Sequence, residues 1–240
     1  MSSAADLTNR LLRHERLLVA GSLGLLTALS WTWLMRAVPM GAMQPPLTAL
    51  ILMWWLMMVA MMLPSATPAI LLYARVRRTR SGDATIGQPW VFLAGYLAVW
   101  LFFSIAAALV QSLLTGPSMT NSSGIAQGTV IMAAGLYQLS PLKSVCLSQC
   151  RSPAQFISRH WRVGSEGALR LGVLHGAFCV GCCWMLMALL FVGGVMNLLW
   201  VVALTVLVAC ERLMIYGNWL GRAAGLALLV WGASKALGLS

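Results

Sequence analysis

Residues 171–210 contain no Asp, Glu, Lys or Arg, and this charge-free run constrains the fold more than any other feature of the chain. A membrane-spanning helix needs about 20 apolar residues, so the run is long enough for two. The whole chain is 60% hydrophobic and 9% charged, which leaves too little polar surface to cover a water-soluble globule. The sequence therefore predicts an integral membrane protein.

The predicted fold class is all-α, a polytopic transmembrane bundle of about seven helices. Ser140 and Pro141, followed by Pro153, also predict a short cytoplasmic helix near 141–151. Residues 1–16 are predicted to form an amphipathic segment, and residues 17–240 a single transmembrane domain. The predicted spans are 17–36, 48–73, 89–112, 126–140, 171–192, 196–216 and 221–238.

The basic residues predict the orientation of these helices. A cytoplasmic N-terminus places 14 of the 16 Lys and Arg residues inside and leaves Arg36 and Lys235 outside. The predicted topology is therefore N-in, C-out, as expected of a multi-pass protein of the bacterial cytoplasmic membrane. The net charge of +11 is explained by this topology and by anionic lipid headgroups, and its dispersal argues against a nucleic-acid partner.

Three thiols and an imidazole are clustered within nine residues of the charge-free run. At about 100° per residue, all four side chains fall on one helix face within an arc of roughly 100°. Cysteine is usually retained for its reactivity more than for packing, so this cluster is a candidate metal or redox site. Its members are His175, Cys179, Cys182 and Cys183.

Two further sets of sulfur ligands accompany the cluster. The second predicted helix carries a row of thioethers at about the same predicted depth, namely Met57, Met58, Met61 and Met62. Cys146 and Cys150 lie one helical turn apart on the predicted cytoplasmic helix, near basic residues that favour thiolates. All ten side chains are candidate metal ligands.

The choice of metal is limited by the distances between the candidate ligands and by ligand softness. His175 and Cys183 are about 12 Å apart along a helix axis, so one helix cannot supply a four-ligand zinc site. Thiolates and thioethers together favour Cu(I), which is the predicted metal. Zinc stays an alternative if other helices contribute ligands, and an iron–sulfur cluster would require Cys146 and Cys150 to fold inward.

Four segments resemble a bacterial family of predicted metal-binding integral membrane proteins of unknown function. The resemblance extends over about residues 50–215 and implies metal binding without an established reaction. Many members have a histidine where this chain has Gln149, so one possible ligand is missing here. The segments are 55–64 with its doubled methionines, 137–143 followed by Cys146, Cys150, Arg151 and Pro153, 175–184 with three cysteines, and 194–197 leading to Glu211.

These observations predict a soft-metal protein acting as a Cu(I) carrier or as a metallochaperone that loads a metalloprotein or membrane-complex partner. A membrane thiol oxidoreductase that uses cysteine pairs with a quinone is an alternative, since Cys179 and Cys182 have the Cys-x-x-Cys spacing. A structural subunit of a larger membrane complex is another. The sequence contains no phosphate loop, catalytic triad or carboxylate pair, so an enzyme is the less favoured class.

Overall fold

The computed structural model describes residues 2–37, 46–81, 88–114, 124–195 and 197–238, but not the side chains of residues 2–16, 37, 78–81 and 114. The side chains of the amphipathic segment predicted at 1–16 therefore lie outside the described part of the chain. All secondary structure in these residues is helical. Each of the seven predicted spans overlaps one helix, and the short helix predicted near 141–151 is also present. The helices are α1 (Ser2–Ala37), α2 (Leu47–Ser81), α3 (Gln88–Leu114), α4 (Gly124–Leu139), α5 (Pro141–Arg151), α6 (Pro153–His160), α7 (Gly164–Gly193), α8 (Leu198–Leu213) and α9 (Gly217–Ala236).

Four of these helices, α1, α2, α3 and α7, are long and apolar enough to cross a membrane. Helices α4 and α5 bend by 61° at Ser140 and form either a fifth, broken span or a re-entrant segment. Within the described residues, four or five helices therefore meet the requirements of a span. The count of seven spans and the N-in, C-out orientation stay predictions.

The outer surface of the helices is strongly apolar. Phe102 is 73% exposed, Leu199 82% and Val230 73%. Large apolar side chains in such numbers would be unfavourable in water, whereas lipid tails would cover them at no cost. The exposed apolar surface thus includes α8 and α9 as well as the long helix α3.

Helix α2 continues through Pro64 although proline removes an N–H and normally breaks a helix. The carbonyl left without its helical partner by Pro64 is that of Ala60, four residues earlier. The indole of Trp31 on α1 donates a hydrogen bond to this carbonyl at 3.2 Å. A side chain of the neighbouring helix thus satisfies the group that proline frees, as required inside a membrane.

Glycines allow α3 and α7 to approach closely. A Cβ atom on Gly172 would lie 2.0 Å from the carbonyl oxygen of Phe92, and one on Gly95 would lie 2.5 Å from that of Leu169. Small residues at such crossings are the usual basis of tight helix packing in membranes. This contact holds the cysteine-bearing α7 against α3, while α4 packs against α9 in the same manner.

Helix α5 has its predicted bounds, because Ser140 caps its N-terminus and Pro141 occupies the first turn. Its location differs from the one expected. The sequence suggested a surface helix well separated from the cysteines of α7, but α5 packs directly against α7. A Cβ atom on Gly181 would lie 2.9 Å from the Sγ atom of Cys146, so the two helices meet in the middle of the cysteine cluster.

Candidate metal centre

The three cysteines of α7 are buried, at 0%, 2% and 1% exposure for Cys179, Cys182 and Cys183. The thiols of Cys182 and Cys183 both donate to the carbonyl oxygen of Cys179, at 3.1 and 3.0 Å. A shared acceptor one helical turn away directs the two sulfurs to the same side of α7. The predicted clustering on one face is therefore present in three dimensions.

Met62 on α2 reaches one of these two thiols, that of Cys183. Its Sδ atom lies 3.9 Å from the Sγ atom of Cys183. Two sulfurs that share one ion at a bond length of about 2.3 Å are at most about 4.6 Å apart. The separation thus already allows a bridging ion.

The other predicted methionines are buried, but they pack in the apolar core and make no described contact with a thiol. Met57, Met58 and Met61 are at most 1% exposed and lie in the apolar core with the cysteines. Among the described contacts, Met62 is the methionine that meets a thiol.

Arg212 on α8 is the functional residue that the sequence analysis missed. Its Nη2 atom donates to the sulfurs of Cys182 at 3.1 Å and Cys183 at 3.5 Å, and to the Cys179 carbonyl at 3.2 Å. Its Nη1 atom donates to Ser65 Oγ at 2.8 Å. A buried guanidinium at two cysteine sulfurs balances the negative charge of thiolates, which are the metal-binding form of cysteine.

Tyr96 on α3 fixes the third cysteine. Its hydroxyl lies 3.1 Å from the Cys179 sulfur and donates to the carbonyl oxygen of Met62 at 3.3 Å. The hydroxyl therefore links α2 to α7 at the level of the thiols. The Cys179 sulfur contacts Tyr96, and the Cys179 carbonyl accepts hydrogen bonds from the thiols of Cys182 and Cys183. Cys179 therefore orients the other two cysteines.

Cys150 on α5 extends the sulfur cluster toward the end of the bundle. Its thiol lies close enough to that of Cys182 for the two groups to influence one another electrostatically. Cys146, one turn earlier on α5, lies against Gly181. The predicted α5 pair and the α7 cysteines thus form one cluster, whereas the sequence analysis placed them at separate levels.

His175 lies apart from this cluster. It is 2% exposed and is surrounded by the rings of Phe92, Tyr96 and Phe156, with centroid distances of 5.3–5.9 Å. Its Nδ1 atom has no hydrogen-bond partner among the described residues. The role of His175 as a metal ligand stays a prediction.

A second buried polar group borders the metal centre. Lys143 on α5 pairs with Glu211 on α8, with 2.5 Å between Nζ and Oε2. Gln138 accepts a hydrogen bond from Lys143 and donates one to Glu211 Oε1 at 2.8 Å. Glu211 and Arg212 are neighbours in the sequence, but their side chains have different partners. Glu211 completes this network, and Arg212 turns to the thiols.

The described residues restrict what the site can bind. They place no group of three or more His, Cys, Asp or Glu side chains around a common ion position. A closed zinc site of the Cys₃His type needs four such ligands. The arrangement here offers two thiols and one thioether, a soft ligand set of low coordination number that suits Cu(I).

Comparison with known families agrees with this ligand set. The sequence profile of a family described as a copper chaperone, PpoB2, matches residues 51–234, more than three quarters of the chain. The matched region contains every sulfur ligand discussed above. Neither the curated proteins nor the solved structures include a significant match to this chain.

Proposed function

Because this chain belongs to the copper chaperone family PpoB2, we propose that it is an integral membrane Cu(I) chaperone. In this proposal Cys182, Cys183 and Met62 hold the ion inside the helical bundle. The observation that carries the proposal is the 3.9 Å separation of Met62 Sδ and Cys183 Sγ, with Cys182 on the same side of α7. Burial of all three side chains excludes competing hard ligands such as water.

The cysteines of α5 supply the exchange step of this proposal. Cys150 lies beside Cys182, and Cys146 lies one helical turn before Cys150 on α5. An ion held by Cys182 and Cys183 passes to Cys182 and Cys150 by replacing one sulfur at a time, without release into water. A partner metalloprotein then receives Cu(I) from the α5 end of the cluster.

Cu(I) stoichiometry of the purified protein in detergent tests the proposal. We expect one tightly bound ion in the parent chain and strong loss of binding in Cys182→Ser and Cys183→Ser. Cys210→Ser is the matched control, since Cys210 is a free cysteine of α8 that makes no described contact with the cluster. Equal copper binding in the parent and in the Cys182→Ser and Cys183→Ser variants would refute the proposal.

A thiol oxidoreductase is the second candidate, and the contact between Cys150 and Cys182 favours it. Two thiols on neighbouring helices can form a disulfide if their Cβ atoms come within about 4.5 Å. Alkylation of the parent chain with and without oxidant separates the candidates. A reversible Cys150–Cys182 disulfide in a protein that binds no copper would replace the chaperone proposal with the redox one.

A further inference from the structure

We infer that Arg212 makes the sulfur site selective for monovalent over divalent soft cations. The inference rests on the proposed function, because it assumes that Cys182 and Cys183 bind the metal. It adds a specificity-determining residue that does not itself ligate the ion. The argument comes from the position and charge of the guanidinium.

Arg212 is buried and carries its charge next to the sulfurs. The side chain is 6% exposed, and its hydrogen bonds go to Ser65, to the Cys179 carbonyl and to two sulfurs. In the described part of the chain no carboxylate pairs with it, because the adjacent Glu211 is engaged by Lys143. The sulfurs are therefore the groups available to balance this buried positive charge.

Charge balance then distinguishes the ions that the site can hold. Two thiolates and one monovalent ion carry a single net negative charge, which the guanidinium neutralises. Two thiolates and a divalent ion are already neutral, so the guanidinium is left uncompensated. An uncompensated charge in a low-dielectric interior is strongly unfavourable.

A third thiolate would restore neutrality around a divalent ion. The described residues place no three Cys, His, Asp or Glu side chains on one ion position. Arg212 therefore favours a monovalent ion, which agrees with the thiol and thioether ligand set. Ligand softness selects Cu(I) or Ag(I) over hard cations, and Arg212 selects them over soft divalent ions such as Cd(II).

Ser65 offers a way to neutralise Arg212 without removing it. Its Oγ atom accepts from Nη1 at 2.8 Å, and the sulfurs contact the other terminal nitrogen, Nη2. Aspartate at position 65 supplies a carboxylate to Nη1 and pairs the buried guanidinium. Asparagine has the same shape without the charge, so Ser65→Asn is the matched control.

The test compares Ag(I) and Cd(II) affinities of the full-length protein in detergent, each by competition with a chelator. We expect Ser65→Asp and Arg212→Gln to lower the ratio of Ag(I) to Cd(II) affinity by about tenfold or more, since the site loses a unit charge within about 4 Å. Ser65→Asn and Arg212→Lys should keep the parent ratio. The Ser65 pair keeps the inference testable even if loss of the buried Arg212 unfolds the chain.

The direction of each shift separates charge from general damage. Loss of the positive charge should weaken Ag(I) and strengthen Cd(II), whereas a structural disturbance weakens both. Equal ratios in Ser65→Asp and Ser65→Asn, or parallel weakening of both ions, would overturn the role of Arg212 while leaving the chaperone proposal intact. A parent chain that binds neither Ag(I) nor Cu(I) would overturn both.

Discussion

The buried ion pair between Lys143 and Glu211 provides a stability prediction with a definite magnitude. The two side chains are 3% and 2% exposed, and Nζ lies 2.5 Å from Oε2. Gln138 hydrogen-bonds to both partners, so the pair belongs to a buried polar network of three side chains. Replacing Lys143 by Met should leave the carboxylate of Glu211 buried without a counter-charge.

The expected cost is about 3–5 kcal/mol, the usual loss when one member of a buried pair is removed. An exposed ion pair would cost about 0–1 kcal/mol, so the two cases are readily distinguished. Removing both charges in Lys143→Met/Glu211→Leu should recover most of the loss, because neither member of the pair is then left as an unpaired charge. The coupling between the two positions is the quantity that the structure predicts.

The assay is equilibrium unfolding in mixed detergent micelles, followed by far-ultraviolet circular dichroism. Arg222→Met is the control, because Arg222 is an exposed cation whose guanidinium lies over the Trp219 ring, 5.8 Å from the ring centroid. Its loss should cost no more than about 1 kcal/mol. The account of the pair would be refuted if Lys143→Met costs no more than Arg222→Met, or if the double variant costs the sum of its parts.

Two further predictions concern the helix contacts that hold the metal centre. Gly172→Ala should lower the free energy of unfolding by about 1–3 kcal/mol, because the added Cβ would lie 2.0 Å from a backbone oxygen of α3. Gly21→Ala is the control and should be neutral or stabilising, because its Cβ would have nothing within 4 Å. Equal melting temperatures for the two variants would contradict the close approach of α3 and α7. Tyr96→Phe should cost about 0.5–1.5 kcal/mol through loss of its hydrogen bonds to Cys179 and Met62. Copper stoichiometry should be unchanged in this variant, and its loss would mean that the hydroxyl takes part in binding.

The helices themselves could be predicted closely because their signals are local. Ser140, Pro141 and Pro153 delimit α5, and long apolar runs delimit α2, α3 and α7. Helix α6, Pro153–His160, was not predicted, since eight residues show no apolar periodicity long enough to recognise. Which helices cross the membrane depends on their tilt and surroundings, and local sequence does not encode these.

The candidate site could be predicted only in part. The common depth of Met62 and Cys183 followed from counting residues along two antiparallel spans, and the 3.9 Å contact agrees with that estimate. The contact between Cys150 and Cys182 could not be predicted, because it depends on the bend between α4 and α5.

The sequence alone does not assign Arg212 to the site, because the adjacent Glu211 is an obvious local partner for its charge. Successive residues of a helix point about 100° apart, so adjacent opposite charges rarely face one another. Glu211 turns to Lys143 and Arg212 to the cysteines for this reason. A charged pair inside an apolar span can thus indicate two separate polar groups on two sides of the helix.

The central claim is that one Cu(I) ion is held by sulfur from both α7 and α2. X-ray absorption at the copper edge of the Cu(I)-loaded protein tests this most directly. We predict a first shell made only of sulfur, with three ligands at about 2.2–2.3 Å, and one ligand fewer in Met62→Leu than in the matched Met57→Leu variant. A first shell containing nitrogen or oxygen, or the same shell in Met62→Leu, would contradict the account.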